Sequence, residues 1–351
     1  MGTQKTIDVA LLLSRKALEQ ALSADIHRAE PFASFPHRLT HEALVLEQHI
    51  REGRFQRSLA LIAAFSSLLG GLEVTSEHYR GSYGVGIMYT PVFISPALLL
   101  SAVWAVFSRR MARVVLPVVS LITLVNGMTG FILHIRGIRR RPGGWRIPIF
   151  NISMGPPLFA PLLFGISGFL GLLASMLRRE DDIIQVGQDG HPALPTLPAV
   201  MNLFPRPIRH ESLVIEQEIR EGRFQRAMAV SAALAAFFSG FEALYSHYKD
   251  DFSDKIEWTP IVLTPVLIFT GIGTIWSRTI ARIFLPLSYA LALLVGAIGF
   301  FYHVRGVLRR PGGMRLPLYN IVYGPPIFAP LLFAASGFLG VLASLLRRRN
   351  A

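Results

Sequence analysis

Four histidines and two glutamates sit in or beside long apolar runs of this chain: His78, His134, His247 and His303, with Glu73 and Glu242. Imidazole is the commonest metal ligand and a proton carrier near neutral pH. A carboxylate inside an apolar run is costly, so it needs a partner or a task. The six residues are not scattered. His78 and His247 are 247 − 78 = 169 positions apart, and the same offset relates His134 to His303 and Glu73 to Glu242.

Glycine spacing extends the pattern. Gly71 lies seven residues before His78 and Gly127 seven before His134, and Gly240 and Gly296 repeat this before His247 and His303. Residues seven apart share a helical face, so each histidine is predicted to have a bare track of helix beside it. A flat macrocycle held between two helices needs such a track. The expectation is two haem b groups, one ligated by His78 and His134 and one by His247 and His303. Arg136 and Arg305, two residues past His134 and His303, would meet the propionates. A two-histidine, one-carboxylate metal site from Glu73, His78 and His134 is a second option. Proton or cation relay through Glu73 and Glu242 is a third.

The competing reading is packing. Small residues on membrane helices let backbones approach, and interfacial histidines often only hydrogen-bond to their surroundings. Ser167, Gly171 and Ser175, with Ser336, Gly340 and Ser344, form such a seam with no chemistry attached. Glu73 on this reading makes a buried hydrogen bond to a serine or tyrosine of a neighbouring helix.

The elements that must position these residues follow from composition and repetition. Hydrophobic residues are 52% of 351 and charged residues 16%, with mean hydropathy +0.45, which calls for lipid as solvent. The excess of 35 Lys+Arg over 22 Asp+Glu is placed between apolar runs, as at membrane surfaces rather than on nucleic acid. There is no cysteine, which excludes disulfides, thiolate metal sites and iron–sulfur clusters. No nucleophile elbow, zincin helix or phosphate loop is present, so catalysis is not indicated. The first apolar run, Val9 to Leu13, is too short to suggest a cleavable signal peptide.

Arg51-Glu-Gly-Arg-Phe-Gln-Arg57 returns as Arg220-Glu-Gly-Arg-Phe-Gln-Arg226, and Gly155-Pro-Pro157 as Gly324-Pro-Pro326, without insertion or deletion. The predicted fold is therefore an all-α integral membrane protein of two tandem, parallel four-helix repeats, eight spans in all, each repeat preceded by an amphipathic interfacial helix. The predicted boundaries are an N-terminal segment 1–36, a first repeat 37–180, a linker 181–205 and a second repeat 206–351. In the first repeat the spans are Ser58 to Ser76, Pro91 to Phe107, Val114 to Ile135 and Pro156 to Leu177, each near the ~20 residues needed to cross the hydrocarbon. Pro91, Pro156 and Pro157 suit first helical turns, whereas Pro96 and Pro117 should bend their helices. Arginine placement favours cytoplasmic termini in a bacterial inner membrane. His41, Glu42, His210 and Glu211 belong to the interfacial helices.

The functional expectation is an anchor or electron-transfer subunit of a larger complex, with other membrane or peripheral subunits and quinone as candidate partners and no nucleic acid. A proton- or cation-coupled transporter or channel and a cofactor-free scaffold are the alternatives.

Overall fold

The computed structural model describes residues 34–179 and 206–348. The expected N-terminal segment, apart from its last three residues, and the expected linker lie outside the described residues. The chain divides into two compact units, residues 1–49 and 50–351. Both stretches expected as four-helix repeats, apart from the start of the first, therefore belong to the second unit.

The described residues are helical, with no strand among them. In chain order the helices are α1 Ser34–Arg51, α2 Gln56–Arg80, α3 Thr90–Phe107, α4 Leu116–Arg140, α5 Pro148–Ser153, α6 Ala160–Met176, α7 Arg206–Arg220, α8 Gln225–Lys249, α9 Trp258–Gly273, α10 Leu285–Arg309, α11 Pro317–Tyr323 and α12 Ala329–Leu345. Six of the helical segments are long and apolar enough to cross a bilayer: 56–80, 86–107, 111–140, 225–249, 255–273 and 280–309. The stretches expected as fourth spans give shorter helices, α6 and α12, of 17 residues each. Pro156 and Pro157 do not open a helix as expected; the chain stays irregular until Phe159, and Pro161 takes the first turn of α6.

Pro117 also behaves differently from expectation. It sits in the first turn of α4, directly after a π-helical turn at Met111–Val115. Widening the preceding turn moves aside the carbonyl that a proline ring would strike in a regular helix. Pro286 follows a second π turn, Ile280–Phe284, in the same way. Pro96 and Pro265 lie inside α3 and α9.

Packing inverts the pattern of a soluble protein. The buried contacts are rich in small residues, Ala60, Ala63, Ala102, Ala105, Ala174 and Ala232 among them. Large apolar side chains such as Phe65, Phe93, Phe107, Leu121, Phe269 and Phe301 face outward. With lipid as solvent there is little gain in hiding large side chains, and close backbone approach stabilises instead. Trp104 and Trp276, both exposed near helix ends, fit an aromatic belt. In the first half of the chain α2 packs on α3 and α6, and α4 packs on α6 and α3; α8, α9, α10 and α12 pack likewise in the second half. The first and third long helices of each half thus stand across the group from each other.

Candidate functional site

His78 sits on the last turn of α2 and His134 on the penultimate turn of α4; the two helices run in the same direction, so both histidines reach one end of the helix group. His247 and His303 do the same on α8 and α10. Three of the four imidazoles are held through Nδ1. His78 Nδ1 lies 2.8 Å from the Met88 carbonyl, His134 Nδ1 2.5 Å from the Pro157 carbonyl and His303 Nδ1 2.6 Å from the Pro326 carbonyl. His247 Nδ1 lies 3.5 Å from a carboxylate oxygen of Glu257. A carbonyl only accepts, so Nδ1 of His78, His134 and His303 must carry the proton, and in the neutral ring Nε2 is left as the lone pair. The rings of His247 and His303 are 6.4 Å apart, centroid to centroid, and nearly perpendicular at 89°. His134 lies within electrostatic reach of His78.

The glycines do not line open tracks. A Cβ on Gly127 would lie 2.7 Å from the Pro161 carbonyl and 2.8 Å from Cα of Gly165, both on α6. On Gly296 it would meet the Pro330 carbonyl and the Ala334 amide of α12, each at 2.7 Å. Gly71 is pressed against Ser95 of α3, and Gly240 against Thr264 of α9. The space a macrocycle would need beside these glycines is filled by neighbouring helices. The residues present therefore fit a haem poorly at the expected place. Arg136 and Arg305 are exposed, and two residues past a histidine is the far side of a helix, so neither faces the imidazole it follows. Among the described residues no group of three or more His, Asp or Glu is placed to hold a metal ion. The triad of Glu73, His78 and His134 does not assemble.

The glutamates have partners that sequence reasoning missed. Glu242 on α8 accepts the backbone N–H of Phe159 at 2.5 Å and of Ala160 at 3.1 Å through the same carboxylate oxygen. These amides open α6, a helix with no side-chain N-cap of its own. Glu73 on α2 lies within electrostatic reach of the backbone N–H of Phe328, which precedes α12. The second half of the chain thus caps the short helix of the first through Glu242. A carboxylate at a helix N-terminus satisfies orphan donors and meets the positive end of the helix dipole. Glu73 does not reach His134 as expected, nor a serine or tyrosine hydroxyl. Around the Glu242 cap, the Phe159 ring packs against Phe131, Phe237, Phe238 and Phe241 at 4.9 to 5.9 Å, which keeps water from competing.

Other charges are spent in the same way. Buried Arg179 donates to the carbonyls of Ala105 at 2.8 Å and Val106 at 3.1 Å, closing the C-terminus of α3. Arg348 donates to the Ile275 carbonyl at 2.8 Å. Arg178 donates to the Glu52 carbonyl; burial pulls its guanidinium below the usual range, and the Glu52 carboxylate opposes that. Asn151 holds the Arg-Pro-Gly-Gly turn by donating to Pro142 and Gly144, and Asn320 does so for Pro311 and Gly313. Gly143 and Gly312, at φ +80° and +85°, supply the left-handed backbone that this turn requires.

A signal for the caps does exist in the sequence. Phe159-Ala160-Pro161 and Phe328-Ala329-Pro330 begin apolar helices without Ser, Thr, Asp or Asn to cap them, while two isolated acids sit in apolar runs without donors. Matching orphan donors to orphan acceptors would have paired them. The chain matches no known protein family, no curated protein and no solved structure.

Proposed function

We propose that this chain is an integral membrane scaffold, an anchor subunit that holds other components at the bilayer and transforms nothing itself. On this reading eight helices enter the membrane as two tandem, parallel four-helix repeats, with α6 and α12 as short fourth spans. Equal helix lengths at a 169-residue offset support it: 25 residues in α2 and α8, 25 in α4 and α10, and 17 in α6 and α12. The arginine distribution supports cytoplasmic termini, and a bacterial inner membrane is proposed with them.

The observation that carries the scaffold reading is the Glu242 cap. Glu242, one of the two acids that a proton- or cation-coupled transporter would need, is engaged with backbone amides at the start of α6, and Glu73 stands near the Phe328 amide before α12. A carboxylate committed to a helix N-terminus in an apolar setting is a structural joint. The glycines that a haem would need are likewise committed to helix contacts.

One observation favours a second reading, an electron-transfer subunit with haem b at His247 and His303 and at His78 and His134. A ligating histidine commonly gives its other ring N–H to a carbonyl or carboxylate, and His78, His134 and His303 have such an acceptor at Nδ1. A reduced-minus-oxidised spectrum of purified protein, expressed with ample haem, separates the two readings. The scaffold reading expects no Soret band. A Soret band that disappears in His303→Ala, with the protein still folded, would replace it with the second reading.

A further inference from the structure

The end of the molecule that carries the histidines also carries an apolar cleft of about 760 Å³, and its walls come from both halves of the chain. Ile147, Ile149, Phe150 and Met154 line one side, around α5; Tyr248, Lys249 and Asp251, at the end of α8, line the other. The volume lies within the range of small-molecule sites.

Displacement by 169 residues brings Arg80 to the position of Lys249 and Ser82 to that of Asp251. Arg80 closes its side down: its Nε donates to the Val322 carbonyl, one terminal nitrogen to the Gly324 carbonyl at 2.9 Å and the other to Glu77 at 2.9 Å. Lys249 reaches no such carbonyl. Its ammonium sits 4.5 Å from the centre of the Tyr245 ring, with no ion pair within 4 Å among the described residues. Glu77, Glu242, Asp250 and Arg141 lie within electrostatic reach of it, but Glu77 is engaged by Arg80 and Glu242 by the α6 amides. The cleft therefore offers one cation, Lys249, and one anion, Asp251, above an apolar wall. Asp251 is held there in a left-handed turn, φ 54°, whose next residue, Phe252, stacks on Trp258 at 4.2 Å.

We propose that this cleft binds one phospholipid with a zwitterionic, primary-amine headgroup, its phosphate on Lys249, its ammonium on Asp251 and part of an acyl chain against Ile149 and Phe150. A purely anionic headgroup satisfies Lys249 but is repelled by Asp251. A quaternary ammonium has no N–H to donate to Asp251. The proposal rests on this end of the molecule lying at the bilayer surface, which impermeant-maleimide labelling of Ser82→Cys and Gly144→Cys tests separately.

The test is native mass spectrometry of the full chain in mild detergent with equal amounts of phosphatidylethanolamine, phosphatidylcholine and phosphatidylglycerol. One phosphatidylethanolamine should remain bound, preferred over either competitor by about tenfold, the effect of about 1.4 kcal/mol. Lys249→Ala should abolish retention, and Asp251→Ser should erase the preference over phosphatidylcholine. Ile149→Trp, which fills the cleft from an exposed position, should also displace the lipid and covers the case that Lys249→Ala folds poorly. Equal retention of phosphatidylglycerol, or unchanged retention in both Lys249→Ala and Ile149→Trp, overturns the proposal.

Discussion

The Glu242 carboxylate on α8 receives the Phe159 amide at the start of α6 at 2.5 Å, joining residues 83 positions apart in the chain. Glu73 stands at the corresponding place, near the Phe328 amide. Glu242, an acid that looks like intramembrane chemistry, is thereby turned into a joint between the halves. The same inversion applies to the glycines, whose missing side chains admit a neighbouring helix instead of a cofactor.

Removing Glu242 leaves the α6-opening amides of Phe159 and Ala160 without an acceptor in an apolar setting. Glu242→Ala should cost about 2 kcal/mol, in the range of a lost cap and a buried unsatisfied donor. Glu242→Gln keeps an acceptor oxygen and should recover most of that loss. Thermal unfolding in detergent measures both; equal losses for Ala and Gln would contradict the cap.

Much of the fold was legible from residues because membrane helices announce themselves by length and apolarity, and α2, α3, α4, α8, α9 and α10 follow the apolar runs closely. The ends were harder to read. Pro156 and Pro157 read as a helix start, yet an irregular segment was more stable there because Phe159 and Ala160 found an acceptor in Glu242, a tertiary contact invisible to local pattern. The candidate site was legible as a set of residues but not as an arrangement. Seven-residue spacing correctly put Gly127 on one face with His134, but spacing cannot say whether a ligand or the backbone of α6 occupies that face.

A side chain at Gly127 or Gly296 must push α4 from α6 or α10 from α12, since the blocking atoms are backbone and, at Gly296, also the rigid Ala334 Cβ. Gly127→Val and Gly296→Val are each expected to destabilise by about 1–3 kcal/mol, the usual cost of overpacking. Melting temperatures check this. A stable Gly127→Val protein would mean that the α4–α6 contact is loose enough to admit something else.

The acceptors at Nδ1 set the histidine tautomers. Neutral His134 and His303 are expected to be protonated on Nδ1, a form visible in nitrogen-15 chemical shifts of labelled imidazoles. His134→Ala should leave the Pro157 carbonyl unpaired and cost about 1 kcal/mol. Protonation on Nε2 at either site would contradict the observed partners.

Because the chain has no cysteine, single-cysteine labelling can test the proposed eight-span topology without background. Ser82→Cys, Gly144→Cys and Gly313→Cys should react with impermeant maleimide from one side of the membrane, and Ser108→Cys and Ser277→Cys from the other. A tag fused after Ala351 should share the side of Ser108 if α12 crosses; finding it on the side of Gly313 would leave α12 re-entrant.

Amide hydrogen exchange tests the Glu242 cap most directly. In Glu242→Ala, protection should fall at Phe159 and the first turn of α6, in the half of the chain that carries no mutation. Protection lost only around residue 242, with the start of α6 unchanged, would contradict the account.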